Sequence, residues 1–558
     1  MERSDALAGA IRYHDRTKHR PGRFARSLGY MDWDTQPDPF RRYEGAPSLR
    51  LDEVAPTESP TFDQLYTPQA LACRAVDRAA ISQLLYDSMA LSAWKSYGGE
   101  RWSLRCNPSS GNLHPTETYL IAAGIDELSS QPGLYHYDVL HHALERRATL
   151  PDDLWSALAA ELPGASLLIG LSSIHWREAW KYGERAFRYC QHDVGHAIAA
   201  IAMAAAPLGW QVQLLDGPGD AECGTLLGIE DQRGDEAEAA DALLLVTTAG
   251  EPTAATRDRI RSWRPPAAAI DALRQLELAG TPNQLSSSHH RWPVIDEAAA
   301  ASAYPGGAGS EAPRSTPTAA ASVDATVAPG LCPALGSGRR ILRDRRSAVA
   351  MDGSTSMDRA SFYRLLCRTL PAPATPPLAA LSWRPAIHLV LFVHRVAGLD
   401  RGVYALVRDP AALEPFRSAL DRGFTWELAP DAPAGLPLYR IDEGDVRLAA
   451  RQLSCDQAIA SDGAFAVAMI AELEPRLQDN GPWFYRRLFW EAGAVGQILY
   501  LEAEAAGLRG TGIGCFFDDA VHEVLGLSGH RYQSLYHFTV GGPVHDPRLR
   551  TLPPYAHR

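Results

Sequence analysis

The segment Lys181–Trp210, KYGERAFRYCQHDVGHAIAAIAMAAAPLGW, is the most informative part of this chain about its fold. Its second half is apolar on almost every side, with Ile198, Ile201 and Met203 set among alanines. A helix of this kind is buried between other elements, and its small side chains let another helix approach closely. The preceding segment Ser166–Leu171, SLLIGL, predicts a buried strand.

A diverged copy of this strand and helix follows near the C-terminus. Ala464–Ile470 (AFAVAMI) predicts the strand and Phe484–Gly510 (FYRRLFWEAGAVGQILYLEAEAAGLRG) the helix. Other matches occur in the same order: Gly195 with Gly496, Arg185 with Arg486, Asp220 with Asp518, Leu227-Gly228 with Leu525-Gly526, LLLVTTAGEP (from Leu243) with YHFTVGGP (from Tyr536), and GLYHYDVLHHALE (from Gly133) with GVYALVRDPAALE (from Gly402). The repeat predicts two domains of one fold. We expect them to pack as a pseudo-dimer around these helices; two independent domains are the alternative.

The segment 298–338 separates the copies. It is rich in Ala, Pro, Gly, Ser and Thr and poor in large apolar residues, so burial cannot offset its ordering entropy and a flexible linker is predicted. A chain of 558 residues is also too long for one core. We therefore expect an N-terminal extension over 1–60, a first domain over 61–297, the linker over 298–338 and a second domain over 339–558.

Bulk composition excludes several classes of protein. A net charge of −12 gives no basic footprint for nucleic acid. The eight cysteines form no CxxC pair and suit a reducing compartment, and the histidines lack metal-ligand spacing, so we expect no metal. The N-terminus is too polar for a signal peptide, and the longest apolar run, Ala197–Leu208, is too short to span a bilayer. These features favour a cytoplasmic enzyme without a membrane or nucleic-acid partner.

The best single motif is the polar loop Arg105–Pro115, RCNPSSGNLHP. Proline and glycine restrict and free its backbone, while serine and asparagine supply hydrogen-bonding groups. Such a loop can bind the ribityl chain or ring edge of a flavin, although its residue types alone also fit an ordinary polar turn. Its candidate binding residues are Pro108, Ser109, Ser110 and Asn112.

Two basic segments and a glycine-rich one lie in the second copy. Arg343–Ser347, RDRRS, offers Arg345, Arg346 and Ser347 to a phosphate or an electron-rich ring edge, or is a solvated patch. Arg548 and Arg550 follow the last predicted strand. They are candidates to bind a phosphate group; a solvated C-terminal tail is the more common alternative. Between these segments GTGIGCFFD, with Gly512, Ile513 and Gly514, permits close backbone approach to a flat ligand but has no Rossmann context.

Lys181 and Tyr182 are predicted to begin the long helix of the first copy. The positive end of a helix favours a neutral lysine and an ionised tyrosine. A pair placed there can transfer protons; an exposed lysine beside a packed tyrosine is the alternative.

Together these motifs resemble the nitroreductase-like flavin superfamily, and within it the SagB-type (azoline, or thiazole/oxazole-forming) dehydrogenase branch. The first copy contributes YHDRTKH (Tyr13–His19), PSSGNLHP, GLYHYD, KYGERAFRY and DVGH; the second contributes RRS, DGAFAVAMIAE, GQILYLEAEAAGLRGTGIG, FFDD, LGL and VGGP. The resemblance implies an α+β fold, an antiparallel-dominated sheet flanked by helices, with FMN bound between two subunits.

In that family one subunit supplies the Arg-Arg-Ser, glycine-rich and C-terminal basic residues, and the other supplies the Pro-Ser-Ser loop. Here the first set lies in the second copy and the loop lies in the first. The first copy has no recognisable RRS or glycine track, and the second reads RTLPAPATPPLAALSWR (Arg368–Arg384) where its loop should fall. Each copy keeps the half that the other has lost, so we expect one FMN per chain.

The resemblance also implies a reaction. Lys181-Tyr182 matches a pair thought to be catalytic in azoline dehydrogenases, where a proton leaves the substrate carbon while a hydride passes to the flavin. We therefore predict an FMN-dependent oxidation of a peptide-derived azoline or related biosynthetic intermediate, with other enzymes of a peptide-modification pathway as candidate partners. The alternatives are an NAD(P)H-dependent nitro- or ene-reductase, and a flavin-free scaffold in a biosynthetic complex.

Overall fold

The computed structural model describes residues 2–162, 165–248, 254–307 and 334–556. In the first part of the chain the helices are α1 (Arg3–Arg16), α2 (Arg78–Ser88), α3 (Asp152–Ala159), α4 (His175–Tyr182), α5 (Ala186–Ala205), α6 (Asp220–Leu227), α7 (Ala254–Ser262), α8 (Ala267–Arg274) and α9 (Pro293–Ala301). The strands are β1 (Tyr43–Glu44), β2 (Ser48–Arg50), β3 (Leu91–Tyr97), β4 (Glu100–Arg105), β5 (Thr116–Ala122), β6 (Gly133–Asp138), β7 (Ala143–Thr149), β8 (Ala165–Ile174), β9 (Gln211–Leu214), β10 (Glu238–Thr247) and β11 (Thr281–Pro282).

The second part repeats this plan. Its helices are α10 (Gly338–Asp344), α11 (Arg359–Arg368), α12 (Leu413–Ala419), α13 (Arg447–Leu453), α14 (Ile459–Asp462), α15 (Glu474–Asn480), α16 (Phe484–Ala505) and α17 (Asp518–Leu525). Its strands are β12 (Met357–Asp358), β13 (Ile387–Val393), β14 (Val396–Ala397), β15 (Gly402–Leu406), β16 (Glu427–Leu428), β17 (Leu438–Glu443), β18 (Phe465–Glu472), β19 (Arg509–Ile513), β20 (Tyr532–Gly541) and β21 (Arg550–Leu552).

The two main sheets have the same topology. One runs β2-β7-β6-β5-β8-β10-β9 and the other β16-β17-β15-β13-β18-β20-β19. Neighbouring strands in both sheets are antiparallel. Each strand of one sheet has a counterpart at the same position in the other. The predicted repeat and the α+β class are therefore confirmed.

Helices α5 and α16 cross at glycines where the two domains meet. A Cβ on Gly195 would lie 2.2 Å from the carbonyl oxygen of Trp490, and one on Gly493 would lie 2.2 Å from that of His192. Only glycine lets the two backbones come this close. Both helices are buried over most of their length, which confirms the predicted intramolecular pseudo-dimer.

The motif Tyr13–His19 joins the two domains. The Tyr13 hydroxyl donates to the backbone carbonyl of Glu184 at 2.8 Å, and Arg16 pairs with the carboxylate of the same glutamate at 2.7 Å. At the other end the His19 N–H donates to Asp518 Oδ2 at 2.9 Å. The N-terminal extension is therefore built into the interface.

The segment predicted as a linker is ordered where it begins. Ala298 and Ala301 are buried in α9, and a Cβ on Gly9 of α1 would lie 3.0 Å from Ala301 Cβ. Because these alanines pack against α1, this start differs from the flexible chain expected from residue 298. Residues 308–333 lie outside the described residues. Among the described helices, none combines the length and apolarity that crossing a bilayer requires.

Candidate active site between the two domains

The polar loop after β4 turns through left-handed backbone at Gly111 (φ 60°) and Asn112 (φ 62°). Helix α5 holds it in place, since the N–H and hydroxyl of Ser110 donate to Asp193 Oδ1 at 3.1 and 3.2 Å. The Ser109 hydroxyl accepts the N–H of His114 at 2.8 Å. The polar loop is thus held in place by the carboxyl group of Asp193, which belongs to the DVGH motif.

Two buried carboxyl groups lie behind this loop. Burial raises the pKa of Asp193 to about 7, against hydrogen bonds from Ser109 and Ser110 that lower it. Burial, followed by the charge of Asp193, also raises the pKa of Glu178. Among the described residues Asp193 Oδ2 and both carboxyl oxygens of Glu178 have no hydrogen-bond partner. Sequence reasoning missed both groups. The DVGH motif pointed to the part of α5 that holds Asp193, and nothing singled out Glu178 on α4.

The RRS segment of the second domain reaches the base of the same loop. Arg345 donates to the carbonyl oxygens of Cys106 at 2.9 Å and Arg105 at 3.1 Å. Ser347 Oγ lies 2.9 Å from the hydroxyl of Tyr500, which also accepts the N–H of Gly512 at 2.9 Å. Tyr500, which the sequence did not single out, therefore connects the RRS segment with the glycine track.

The glycine track faces aromatic rings from both domains. A Cβ on Gly512 would lie 1.9 Å from the Tyr536 hydroxyl, and one on Gly514 would lie 2.3 Å from the ring of Tyr189. Tyr189, on α5 of the first domain, donates to the carbonyl oxygen of Gly514 at 3.0 Å. The side chain of Ile513 packs into the core of the second domain. Glycine is thus required at Gly514, where the track meets α5, and at Gly512, where it meets β20.

The position expected for Lys181 and Tyr182 is wrong. They end α4, and Gly183 (φ 53°) separates them from α5. A Cβ at Gly183 would lie 2.2 Å from a backbone carbonyl oxygen of the N-terminal extension, so only glycine fits there, and its positive φ breaks the helix between α4 and α5. The pair lies at the negative end of α4, and not at the positive end on which the expected neutral lysine and ionised tyrosine both depended.

Tyr182 nevertheless lies against the polar loop. A Cβ on Gly111 would lie 2.5 Å from its hydroxyl oxygen, and its ring centroid is 4.5 Å from that of Tyr189. Lys181 Nζ lies 5.4 Å from the centre of the Tyr182 ring. Burial, and then the charge of Glu178, raise the pKa of Tyr182, so its hydroxyl keeps its proton.

The C-terminal arginines lie farther from the loop. Arg548 is paired with Asp546 at 2.8 Å and lies over the ring of Tyr97. Arg550 begins β21, which pairs with β3, so the expectation that it follows the last strand is wrong. The added strand belongs to a separate sheet, β21-β3-β4, that precedes the polar loop.

Two further cations lie beside Arg346 and were missed from the sequence. Burial and then the charges of Arg346 and Arg509 lower the pKa of Lys95. Burial and then Arg345 lower the pKa of Arg346 to about 10. Lys95 lies on β3 and donates to the Thr551 hydroxyl at 2.7 Å. Lys95, Arg346 and Arg509 are far apart in the sequence but lie in one region of the fold. The spacing of residues could not predict this cluster.

The fold is that of an α+β protein of two tandem domains, and the candidate site lies between them. The sequence matches the profile of the Nitroreductase family over residues 71–239 and 410–542. These regions cover more than half of the chain, one in each part of the repeat. The chain belongs to the nitroreductase family of oxidoreductases, as a tandem member.

Individual relatives extend this result. Over 111 residues the chain is 35% identical to the trifolitoxin-processing protein TfxB of Rhizobium leguminosarum bv. trifolii, a match that covers 18% of this chain and 29% of that protein. A nitroreductase-type structure from Anabaena variabilis aligns with a TM-score of 0.67 and 24% identity over 96% of this chain and 99% of that one, and so shares the tandem fold. A chain of the E. coli microcin synthetase McbBCD complex aligns at 17% identity and a TM-score of 0.27 over 44% of this chain and 94% of its own.

Proposed function

We propose that this chain is an FMN-dependent oxidoreductase that removes two electrons from a peptide-derived azoline or a related biosynthetic intermediate. One observation carries the proposal. Arg345 of the second domain binds the base of the polar loop of the first, and the same loop touches Tyr182. Two of the residue groups that the resemblance distributes over two subunits, the RRS segment and the polar loop, are therefore in contact within one polypeptide.

The residues present fit FMN. Because Gly512 and Gly514 have no Cβ, the rings of Tyr536 and Tyr189 pack directly on the backbone of the track, and this flat surface suits a flat ring. The cations Lys95, Arg346 and Arg509 suit a phosphate. Serines of the polar loop and Ser347 would bind the polar chain between ring and phosphate, and FMN would supply the two-electron acceptor.

The remaining residues would handle the proton of the substrate. Lys181, partly exposed, is the candidate base once it has released its own proton, and the Tyr182 hydroxyl, which keeps its proton, is the candidate donor. Glu178, with a raised pKa, lies one helical turn before them. The local identity with a trifolitoxin-processing protein favours a peptide-derived substrate.

We further propose a single FMN per chain, because other side chains occupy the position that the pseudo-symmetry assigns to a second FMN. With Asp220 placed on Asp518, Asp216 stands where the functional copy has Gly514. Its buried carboxylate pairs with Arg487 at 2.6 Å and with Arg261 at 2.9 Å. A carboxylate held by two guanidinium groups leaves no flat backbone surface for a ring.

Aromatic side chains close the same place. The guanidinium of Arg487 lies 4.9 Å from the ring centre of Tyr304, 5.3 Å from that of Trp383 and 4.5 Å from that of Trp483. Trp383 belongs to the segment that replaces the polar loop in the second domain, and the cavity beside it holds only about 10 Å³. This packing supports one functional and one degenerate site.

The test is the flavin content of the purified chain. We expect visible flavin absorbance and, after saturation with FMN, one flavin per polypeptide. A value near two would contradict the single site, and no binding would contradict the cofactor and favour a scaffold. Rapid bleaching of the bound flavin by NAD(P)H would favour a nitro- or ene-reductase over the dehydrogenase.

A further inference from the structure

Two cysteines and a histidine from three distant parts of the chain meet at the end of the glycine track. Cys515 directly follows Gly514, and its Sγ lies 2.7 Å from Sγ of Cys455. His19 Nδ1 lies 3.5 Å from Cys515 Sγ. Both cysteines are partly exposed, so small reagents can reach them.

The backbone on both sides fixes this approach. Cys455 (φ 55°) and Asp456 (φ 58°) are consecutive left-handed residues in the turn after α13, a conformation that non-glycine residues adopt only where their surroundings hold it. The side chain of Gln457 donates to the carbonyl oxygen of Cys515 at 3.0 Å, and the N–H of Phe517 donates to that of Leu453 at 2.9 Å. The two sulfur atoms are therefore held together by the fold.

Their separation discriminates between two kinds of chemistry. Two sulfur ligands of one tetrahedral zinc ion stand about 3.8 Å apart, given a Zn–S distance of about 2.3 Å. A covalent disulfide requires about 2.05 Å. The observed 2.7 Å is nearer to the second value. We propose that Cys455 and Cys515 are a reversible modification site, a dithiol that closes to a disulfide at the end of the glycine track.

The electrostatics suit thiol–disulfide exchange. The contact with Cys455, and then His19 and Arg185, lower the pKa of Cys515 against the effect of burial. The same contact raises the pKa of Cys455. Cys515 is therefore the attacking thiolate and Cys455 the resolving thiol.

A low-molecular-weight disulfide such as glutathione disulfide is the oxidant. The Cys515 thiolate attacks one of its sulfur atoms and expels one glutathione thiolate. Cys455 then gives up its proton and attacks Cys515 Sγ, which expels the second glutathione. The two cysteines lose two electrons, the small disulfide gains them, and the proton of Cys455 leaves with the released thiol.

Closure changes the surroundings of the candidate active site. It removes the thiolate charge that faces His19 and Arg185, and it ties the end of the track to the turn after α13. The neighbouring Gly514 carbonyl accepts from Tyr189 at 3.0 Å and from Arg185 at 3.2 Å. The disulfide itself does not depend on the proposed function.

The experiment uses the full-length chain with the exposed Cys73 replaced, Cys73→Ser, to suppress links between chains. The protein is equilibrated with mixtures of reduced and oxidised glutathione, alkylated and mapped by mass spectrometry. We expect a cross-linked peptide joining residues 455 and 515, with both thiols lost together and two fewer thiols in the denatured protein. Cys455→Ser should leave Cys515 as a mixed disulfide with glutathione, whereas Cys223→Ser, in buried α6, should leave the cross-link unchanged.

Two results would overturn the proposal. One is that both cysteines stay separately alkylated in excess glutathione disulfide. The other is that the chain binds one equivalent of zinc that a chelator must remove before either thiol reacts. The map of the Cys73→Ser protein decides both, even if Cys455→Ser fails to fold.

Discussion

Arg185 and Asp518 form a buried ion pair across the domain interface, with Nη1 and Oδ2 3.0 Å apart. Its pseudo-symmetric equivalent joins Arg486 to Asp220 at 2.7 Å. The sequence repeat places each arginine on the other and each aspartate on the other, so the two pairs are one contact made twice, as in a symmetric dimer. They differ in burial: the Asp518 side chain is 1% exposed and the Asp220 side chain 25%.

This difference predicts unequal losses of stability. Asp518 also binds Arg188 at 2.8 Å, so Asp518→Asn leaves two buried guanidinium groups without their counter-charge. We expect it to lower the free energy of unfolding by about 3–5 kcal/mol. Asp220→Asn is the matched control and should cost clearly less, because water reaches that carboxylate. Urea denaturation measures both, and equal losses would contradict the argument.

A methyl group in the glycine track should abolish flavin binding. Gly514→Ala would bring Cβ to 2.3 Å from the Tyr189 ring, so α5 and β19 must move apart where the proposed cofactor binds. We expect the flavin content of the purified variant to fall at least tenfold. Gly224→Ala is the control, since its Cβ would meet only ordinary contacts of 3.6 Å or more in α6. Full flavin content in Gly514→Ala would remove the track from the site.

Asp193 should make stability depend on pH. The folded chain holds its proton up to a pKa of about 7, whereas the unfolded chain releases it near pH 4. Its contribution is therefore fully present below about pH 4 and is lost as the pH rises towards 7. Asp193→Asn removes this loss and should be the more stable protein at neutral pH, by at most about 4 kcal/mol.

Denaturation curves at pH 4.5 and 7.5 test this point. The difference between wild type and Asp193→Asn should grow with pH. Asp271→Asn, on the exposed side of α8, is the control and should leave the pH dependence of the wild type intact. A difference that stays constant with pH would show that folding leaves the pKa of this carboxyl unshifted, and would contradict the prediction.

The fold could be predicted because the two halves of the chain contain matching sequence segments in the same order. Strand and helix patterns such as SLLIGL and AFAVAMI depend on local periodicity, which a sequence displays directly. The small side chains and all-round apolar surface of α5 indicate close packing against another helix, so the pseudo-dimer could also be predicted. The short helix α4 could not be predicted, since the chain breaks at Gly183, where the carbonyl of Arg26 in the distant N-terminal extension accepts the N–H of Glu184.

Only part of the candidate site could be predicted from the sequence, because some of its residues come together only through tertiary packing. The polar loop, the RRS segment and the glycine track each show in local residue types, and the structure brings them together. Asp193 and Lys95 owe their place to tertiary packing, one behind the loop and the other on β3 beside Arg346. The meeting of His19, Cys455 and Cys515 spans almost the whole chain, so spacing arguments on cysteines could not reveal it.

The proposed proton-transfer pair makes the last prediction. Lys181→Ala removes the candidate base, and Tyr182→Phe removes the hydroxyl beside Gly111 while keeping the ring that packs on Tyr189. General acid–base groups contribute roughly 10²–10⁴-fold to rate, so each change should lower turnover by about 10² or more at unchanged flavin content. The assay follows a synthetic thiazoline peptide by mass spectrometry for the loss of two hydrogens. Tyr30→Phe, at an exposed tyrosine, is the control, and unchanged turnover in both site variants with FMN bound would withdraw the assignment.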